Sequence, residues 1–344
     1  MKFHILPIVT FLMVVMATNA ALPPEFYWKS MLPTTPMPKA ITDLLHPGWR
    51  EEKDASVGVG NGSVNVGVEK GNQGQGGGTD VNVGGGNGGV NVHTGPKGKP
   101  VHVGVGPHSP FDYNYAASDN QLRDHPNVAL FFLEKDLHHG TKFNLHFTHT
   151  LNVDATFLPR KIADSIPFSS NKVSDILNKF SITPGSDEAQ TVKNTVSECE
   201  ERGIKGEEKR CVTSLESMVD FATSKLGNSV DAFSTEVRKE SEFQEEYRIA
   251  GSGVKKLGGE KGVVCHKESY PYAVFYCHKS DSTKVYSVPL EGADGSRVKA
   301  VAVCHTNTSP WNPKHLAFKV LKVQPGAVPV CHFLPRDHVV FVPK

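Results

Sequence analysis

The sequence predicts an α+β fold for residues 128–344, and three observations predict it. Leu215, Met218, Val219, Ala222 and Leu226 recur at helical spacing. Beyond Gly262 the text turns to valine and aromatic runs, punctuated by Gly292, Gly295, Pro310, Pro313, Pro325 and Gly326, which read as strands and turns. Four Cys-His dipeptides, Cys265-His266, Cys277-His278, Cys304-His305 and Cys331-His332, stand 10, 25 and 25 residues apart and each closes or interrupts one of those β-like runs. Histidine occupies 16 of 344 positions, so composition alone places it after four or more of the six cysteines only about once in ten thousand such chains.

Taken from the amino terminus, residues 1–20 read as a secretory signal: Lys2, an apolar stretch from Ile5 to Ala17, then Thr18-Asn19-Ala20 as a small-residue cleavage site. No later run approaches the roughly 20 apolar residues of a membrane helix, so no membrane span is expected. Residues 21–55 form a leader; its Leu22 to Trp49 text is rich in proline and aromatics, with Tyr27-Trp28-Lys29, Leu32-Pro33 and Pro36-Met37-Pro38, and reads as extended chain.

In residues 56–107, 18 of 52 positions are glycine. A valine unit recurs there as Val57-Gly58-Val59, Val64-Asn65-Val66, Val81-Asn82-Val83, Val90-Asn91-Val92 and Val101-His102-Val103. So few large side chains cannot offset glycine's conformational entropy, which makes a disordered spacer the default; the Val-x-Val alternation also suits strand pairing or adhesion. Residues 108–127 are a linker carrying Phe111-Asp112-Tyr113-Asn114-Tyr115, in which Tyr113 and Tyr115 are candidate internal crosslink substrates.

Val128 to Leu133 opens the globular text. Thr213 with Glu216 is a capping-box signature for the helix that Gly227 stops. Shorter helices are expected within Ser174 to Phe180 and from Asp187 to Glu198. Ser214 is explained by the helix start without catalysis, and neither a Gly-x-Ser-x-Gly elbow nor a His-Glu-x-x-His helix is present.

The Cys-His pairs have a geometric meaning. Adjacent residues of a strand point to opposite faces, so one face can bury thiols or disulfides while the other presents His266, His278, His305 and His332. Imidazole suits copper or zinc; a disulfide scaffold with incidental histidines is the metal-free alternative. Secretion makes disulfides expected. The six cysteines, Cys199, Cys211, Cys265, Cys277, Cys304 and Cys331, allow 15 connectivities, although Cys199 and Cys211 are close enough to bridge locally. A second histidine group, His138, His139, His146 and His149, does not read as a shared site, because His146 and His149 fall on opposite faces of a strand. His315 and His338 read as surface or core. Asn61 and Asn307 head glycosylation sequons. With 37 basic and 36 acidic residues the net charge is +1, which argues against nucleic acid as partner.

The chain from about Phe131 resembles the BURP-domain family of plant secreted proteins, on its four Cys-His pairs with one short and two long gaps, on Phe131-Phe132, and on Cys199 through Cys211-Val212-Thr213-Ser214-Leu215-Glu216-Ser217-Met218. The leader with Leu32-Pro33-Thr34-Thr35-Pro36-Met37-Pro38 and the valine-glycine repeats resemble that family's dehydration-responsive subgroup. The resemblance implies a drought-, salt- and abscisic-acid-related protein of the apoplast or cell wall. Some family members are copper-dependent peptide cyclases that oxidatively join a Tyr or Trp side chain to another residue; by resemblance His266, His278, His305 and His332 are the copper ligands. The role expected is that of a protein that binds a wall polysaccharide or wall-modifying protein, with copper binding as a property of its domain; the alternative is a copper-dependent oxidase or peptide cyclase acting on tyrosines, including those of its own amino-terminal region.

Overall fold

A computed structural model describes residues 24–45, 80–82, 91–93, 131–145, 147, 155–238, 245–251, 253–280, 282–313 and 315–344. The signal segment, Asn61, Tyr113, Tyr115, His146, His149 and most of the glycine-rich region lie outside them. Within that region β1 (Asp80–Asn82) pairs antiparallel with β2 (Asn91–His93), Val81 opposite Val92.

In chain order the remaining elements are the helices α1 (Pro24–Met31) and α2 (Lys39–Thr42), strands β3 (Phe131–Leu133) and β4 (Lys142–Leu145), and helices α3 (Arg160–Ala163), α4 (Val173–Lys179) and α5 (Asp187–Glu200). Then come β5 (Glu207–Val212), α6 (Leu215–Leu226), β6 (Val230–Phe233), β7 (Glu236–Val237), β8 (Glu245–Ile249) and β9 (Lys255–Leu257). The chain closes with β10 (Val263–Glu268), β11 (Val274–Ser280), β12 (Thr283–Gly292), β13 (Arg297–His305), α7 (Leu316–Leu321), β14 (Val330–Phe333) and β15 (Val339–Pro343). This is the expected α+β architecture, mostly β in its second half.

The strands form two sheets. One is ordered β5-β11-β10-β15-β6 and the other β3-β14-β13-β12-β8-β4, with β7 beside β13 and β9 beside β12. Where they face each other, Val264 and Val340 of the first pack against Val285, Val301, Val303 and Leu334 of the second. The larger sheet curls until rings on its two end strands meet, Phe132 and Phe143 at 5.2 Å between centroids. That curl encloses Cys304, Cys331, Phe333, Val288 and Ile249 in a core of its own.

The far face of the five-stranded sheet is covered by α6 and, unexpectedly, by the leader. The leader is not extended: Pro24–Met31 is helical, with Pro24 as its first residue, Glu25 in its first turn and Lys29 in its last, which matches proline's fixed φ and the helix dipole. Trp28, Leu32, Ile41 and Leu44 join Phe157, Leu215, Met218, Cys265, Cys277, Phe275 and Phe341 in one core. Trp28 donates to the Thr35 carbonyl at 2.9 Å, Tyr27 donates to Asp220, and the Phe157 N–H donates to the Leu44 carbonyl at 2.9 Å. The proline-rich text specifies a docked helical strap because its apolar residues find a sheet face to bury against.

The α6 boundary also moves by one residue from its expected cap. Ser214, not Thr213, is the N-cap; its hydroxyl accepts from the Ser217 N–H at 3.1 Å while the Ser217 hydroxyl accepts from the Ser214 N–H. Glu216 instead turns inward and accepts from the Arg160 N–H at 3.3 Å. Gly227 ends the helix at φ +81°, a conformation glycine adopts without penalty. α4 and α5 fall where expected, α5 capped by the Ser186 hydroxyl on the Ala189 N–H.

Candidate metal centre

Cross-strand register places the cysteines. Cys265 lies directly opposite Cys277 on β10 and β11, and Cys304 opposite Cys331 on β13 and β14. Each pair is disulfide-bonded with Cα atoms 4.0 Å apart, the close approach of directly facing antiparallel residues. Cys199 and Cys211 form the third bridge.

Each cysteine faces the core on its sheet's far side, so the following histidine faces the other sheet. His266 and His278 are diagonal neighbours on one sheet, 5.3 Å between ring centroids, and His305 and His332 are diagonal neighbours on the other, 5.6 Å apart and nearly parallel. Across the gap His278 meets His305 at 5.9 Å and His266 meets His332 at 5.9 Å. The four rings close a circuit between the sheets, none more than 6 % exposed.

Burial pushes the His266 and His305 imidazoles well below the usual histidine range, and the neighbouring histidines push the same way. His332 is lowered to about 3 by burial, against the opposing pull of the Phe333 carbonyl. These rings are therefore neutral near pH 7, the form in which imidazole ligates a metal.

Three of the four rings have a polar neighbour at Nδ1. Nδ1 of His278 lies 2.7 Å from Glu207 Oε1, Nδ1 of His266 lies 2.8 Å from Nδ1 of His338, and Nδ1 of His332 lies 3.4 Å from the Phe333 carbonyl oxygen. Nε2 of His266 and Nε2 of His278 meet at 3.2 Å. Among the described residues no three such side chains already converge on a common point as a metal-ligating group; the rings are stacked. The donor set nevertheless fits copper in kind, since imidazole nitrogens gathered in a dry slot are borderline donors that suit it.

Aromatic side chains frame the centre. Trp311 packs edge-on to His305 at 5.0 Å, Tyr276 lies 5.6 Å from His278, and Phe131 lies 6.1 Å from His332. His315, lowered to about 4 by burial, sits between Trp311 and Phe131 and accepts from the Ala317 N–H. His138 and His139 belong to a separate turn, where His138 meets Thr141 and His139 meets the Ile249 carbonyl. Asn307 is exposed two residues past His305, its side-chain oxygen accepting from the Ser309 N–H. Reading the sequence missed His338 and Glu207. Both reach the centre through strand pairings distant in sequence, β15 with β10 and β5 with β11.

A disulfide-pinned domain with four imidazoles between its sheets defines a class. The BURP domain family model matches residues 130–343, and the chain belongs to that family. It is similar over nearly its whole length to BURP domain protein RD22 of Arabidopsis thaliana, 50% identical over 374 residues covering 95% of each chain. It is also 56% identical over 249 residues to BURP domain-containing protein 3 of Oryza sativa subsp. japonica, covering 72% of this chain and 57% of that one. BURP domain-containing protein 5 of the same rice is 42% identical over 328 residues, 94% of this chain and 88% of its own. Among the described residues no helix is long and apolar enough to cross a membrane.

Proposed function

We propose that this chain is a secreted protein of the apoplast or cell wall, acting in the response to dehydration, salt and abscisic acid, whose BURP domain holds copper at His266, His278, His305 and His332 and oxidises tyrosine side chains. The single observation that carries the copper reading is the closed circuit of four buried imidazoles with their cysteines turned away. Bound copper would accept electrons one at a time from a phenol or indole ring and pass them to dioxygen as the terminal oxidant, which also takes up the two protons released, chemistry that zinc does not supply.

The protein's own residues have definable tasks in that reading. Glu207, His338 and the Phe333 carbonyl engage the outward nitrogens, the valine layer between the sheets excludes water, and half-buried Trp311 flanks His305, the most exposed of the four rings. That edge is where a substrate ring would approach. The stress and wall assignments rest on the family resemblance, with glycans proposed at Asn61 and Asn307 and a wall polysaccharide or wall-modifying protein as partner.

The test is peptide mapping of the copper-loaded full chain after incubation in air, alone and with an added tyrosine peptide. Loss of a pair of hydrogen atoms at Tyr113, Tyr115 or the added peptide, abolished by His305→Ala, is the expected result. A copper-replete chain that leaves every tyrosine unchanged contradicts the oxidase and favours the wall-binding role.

A further inference from the structure

We infer that Glu207 and His338 are positioning residues of the centre, each fixing one imidazole so that its Nε2 faces inward; this rests on the copper reading above. Neither belongs to a Cys-His pair. Ser280 pairs with Glu207 and His278 with Lys209, so Glu207 is the diagonal neighbour of His278 on the same face, within reach of its ring. The two side chains are 6 % and 4 % exposed, with Oε1 2.7 Å from Nδ1. The next residue, Glu208, turns outward to Lys225. The Cys199–Cys211 bridge ties β5 to the end of α5, which keeps this carboxylate on a stiff strand.

On the other side of the pair, His338 stands immediately before β15 and meets His266 Nδ1 to Nδ1 at 2.8 Å. One of these nitrogens must donate and the other accept. For Nε2 of His266 to keep its lone pair for a metal, the proton must sit on Nδ1 of His266 and be accepted by His338. His338 then carries its own proton on Nε2, the side on which Asp337 Oδ1 lies 3.9 Å away. Asp337 in turn lies 3.8 Å from Lys267 Nζ, both side chains buried. Lys267 and Asp337 thus place a buried charge pair beside His338, with the carboxylate on the side of the Nε2 proton that this tautomer requires. His278 has the simpler arrangement, a carboxylate 2.7 Å behind the ring nitrogen, which fixes the orientation of the ring.

The experiment compares the full chain with its Glu207→Gln and His338→Phe variants, and with Glu208→Gln as the outward-facing control on the same strand. Copper affinity is read by competition with a chelator, and the Cu(II) environment by electron paramagnetic resonance. Glu207→Gln and His338→Phe are expected to weaken copper about 10–100-fold and to alter the copper hyperfine pattern, with circular dichroism and disulfide content unchanged. Glu207→Asp is expected to recover part of the loss, and Glu208→Gln to match wild type. Wild-type affinity and spectrum in both positioning variants overturn this inference alone. A wild-type chain that binds no copper overturns the reading of the centre and this inference with it.

Discussion

Replacing Trp28 with alanine destabilises the domain by about 3–5 kcal/mol, the range for removing a large aromatic from a packed core. Trp28 is 2 % exposed, packs 5.9 Å from the Phe341 ring and hydrogen-bonds the Thr35 carbonyl, so its truncation opens a cavity and leaves an acceptor without its donor. Because the strap covers the face that carries Cys265 and Cys277, its loss exposes the back of the sheet that presents His266 and His278. Urea denaturation of full-length wild type and Trp28→Ala measures the effect. A loss below about 1 kcal/mol would mean that residues 24–45 do not belong to the folded unit. A corollary is practical: a fragment beginning near residue 128 lacks part of its own core.

Opening the Cys304–Cys331 bridge, with both residues changed to alanine, is expected to cost about 3–4 kcal/mol. The chain-entropy account gives roughly this value for a loop of the observed separation of 27 residues. The same substitution at Cys265 and Cys277, separated by 12, is expected to cost slightly less, about 3 kcal/mol. Both bridges also hold facing strands in register, and in a sheet a slip of one residue would turn each histidine to the opposite face. Denaturation under non-reducing conditions, read beside copper retention, checks both consequences. Unchanged stability in the Cys304/Cys331 variant would contradict the assigned pairing.

What could be read from the chain beforehand follows the range of the forces involved. The alternation Cys-in-one-core, His-toward-the-other-sheet is local, set by two adjacent residues on a strand, and it is present in all four dipeptides. Register is not local: that Cys265 faces Cys277 and Cys304 faces Cys331 depends on how whole strands align. Glu207 and His338 are harder still, since no spacing links position 207 to 278 or 338 to 266. The leader misled because proline was read as a mark of extended chain, although Pro24 at the first helical position, Glu25 and Lys29 together spell a helix. At α6 the text Thr213-Ser214-Leu215-Glu216-Ser217 offers two overlapping boxes, and the structure uses the second.

The measurement that bears most directly on the centre is copper per chain, by elemental analysis of the full-length secreted protein after copper loading and exhaustive dialysis. It is made on wild type and on the variant with His266, His278, His305 and His332 all replaced by alanine and every cysteine retained. Near-stoichiometric copper in the wild type, and none in a variant that keeps its disulfides and strand content, is the result this account predicts. Absence of copper from the wild type, or stoichiometric copper persisting in the variant, would contradict it.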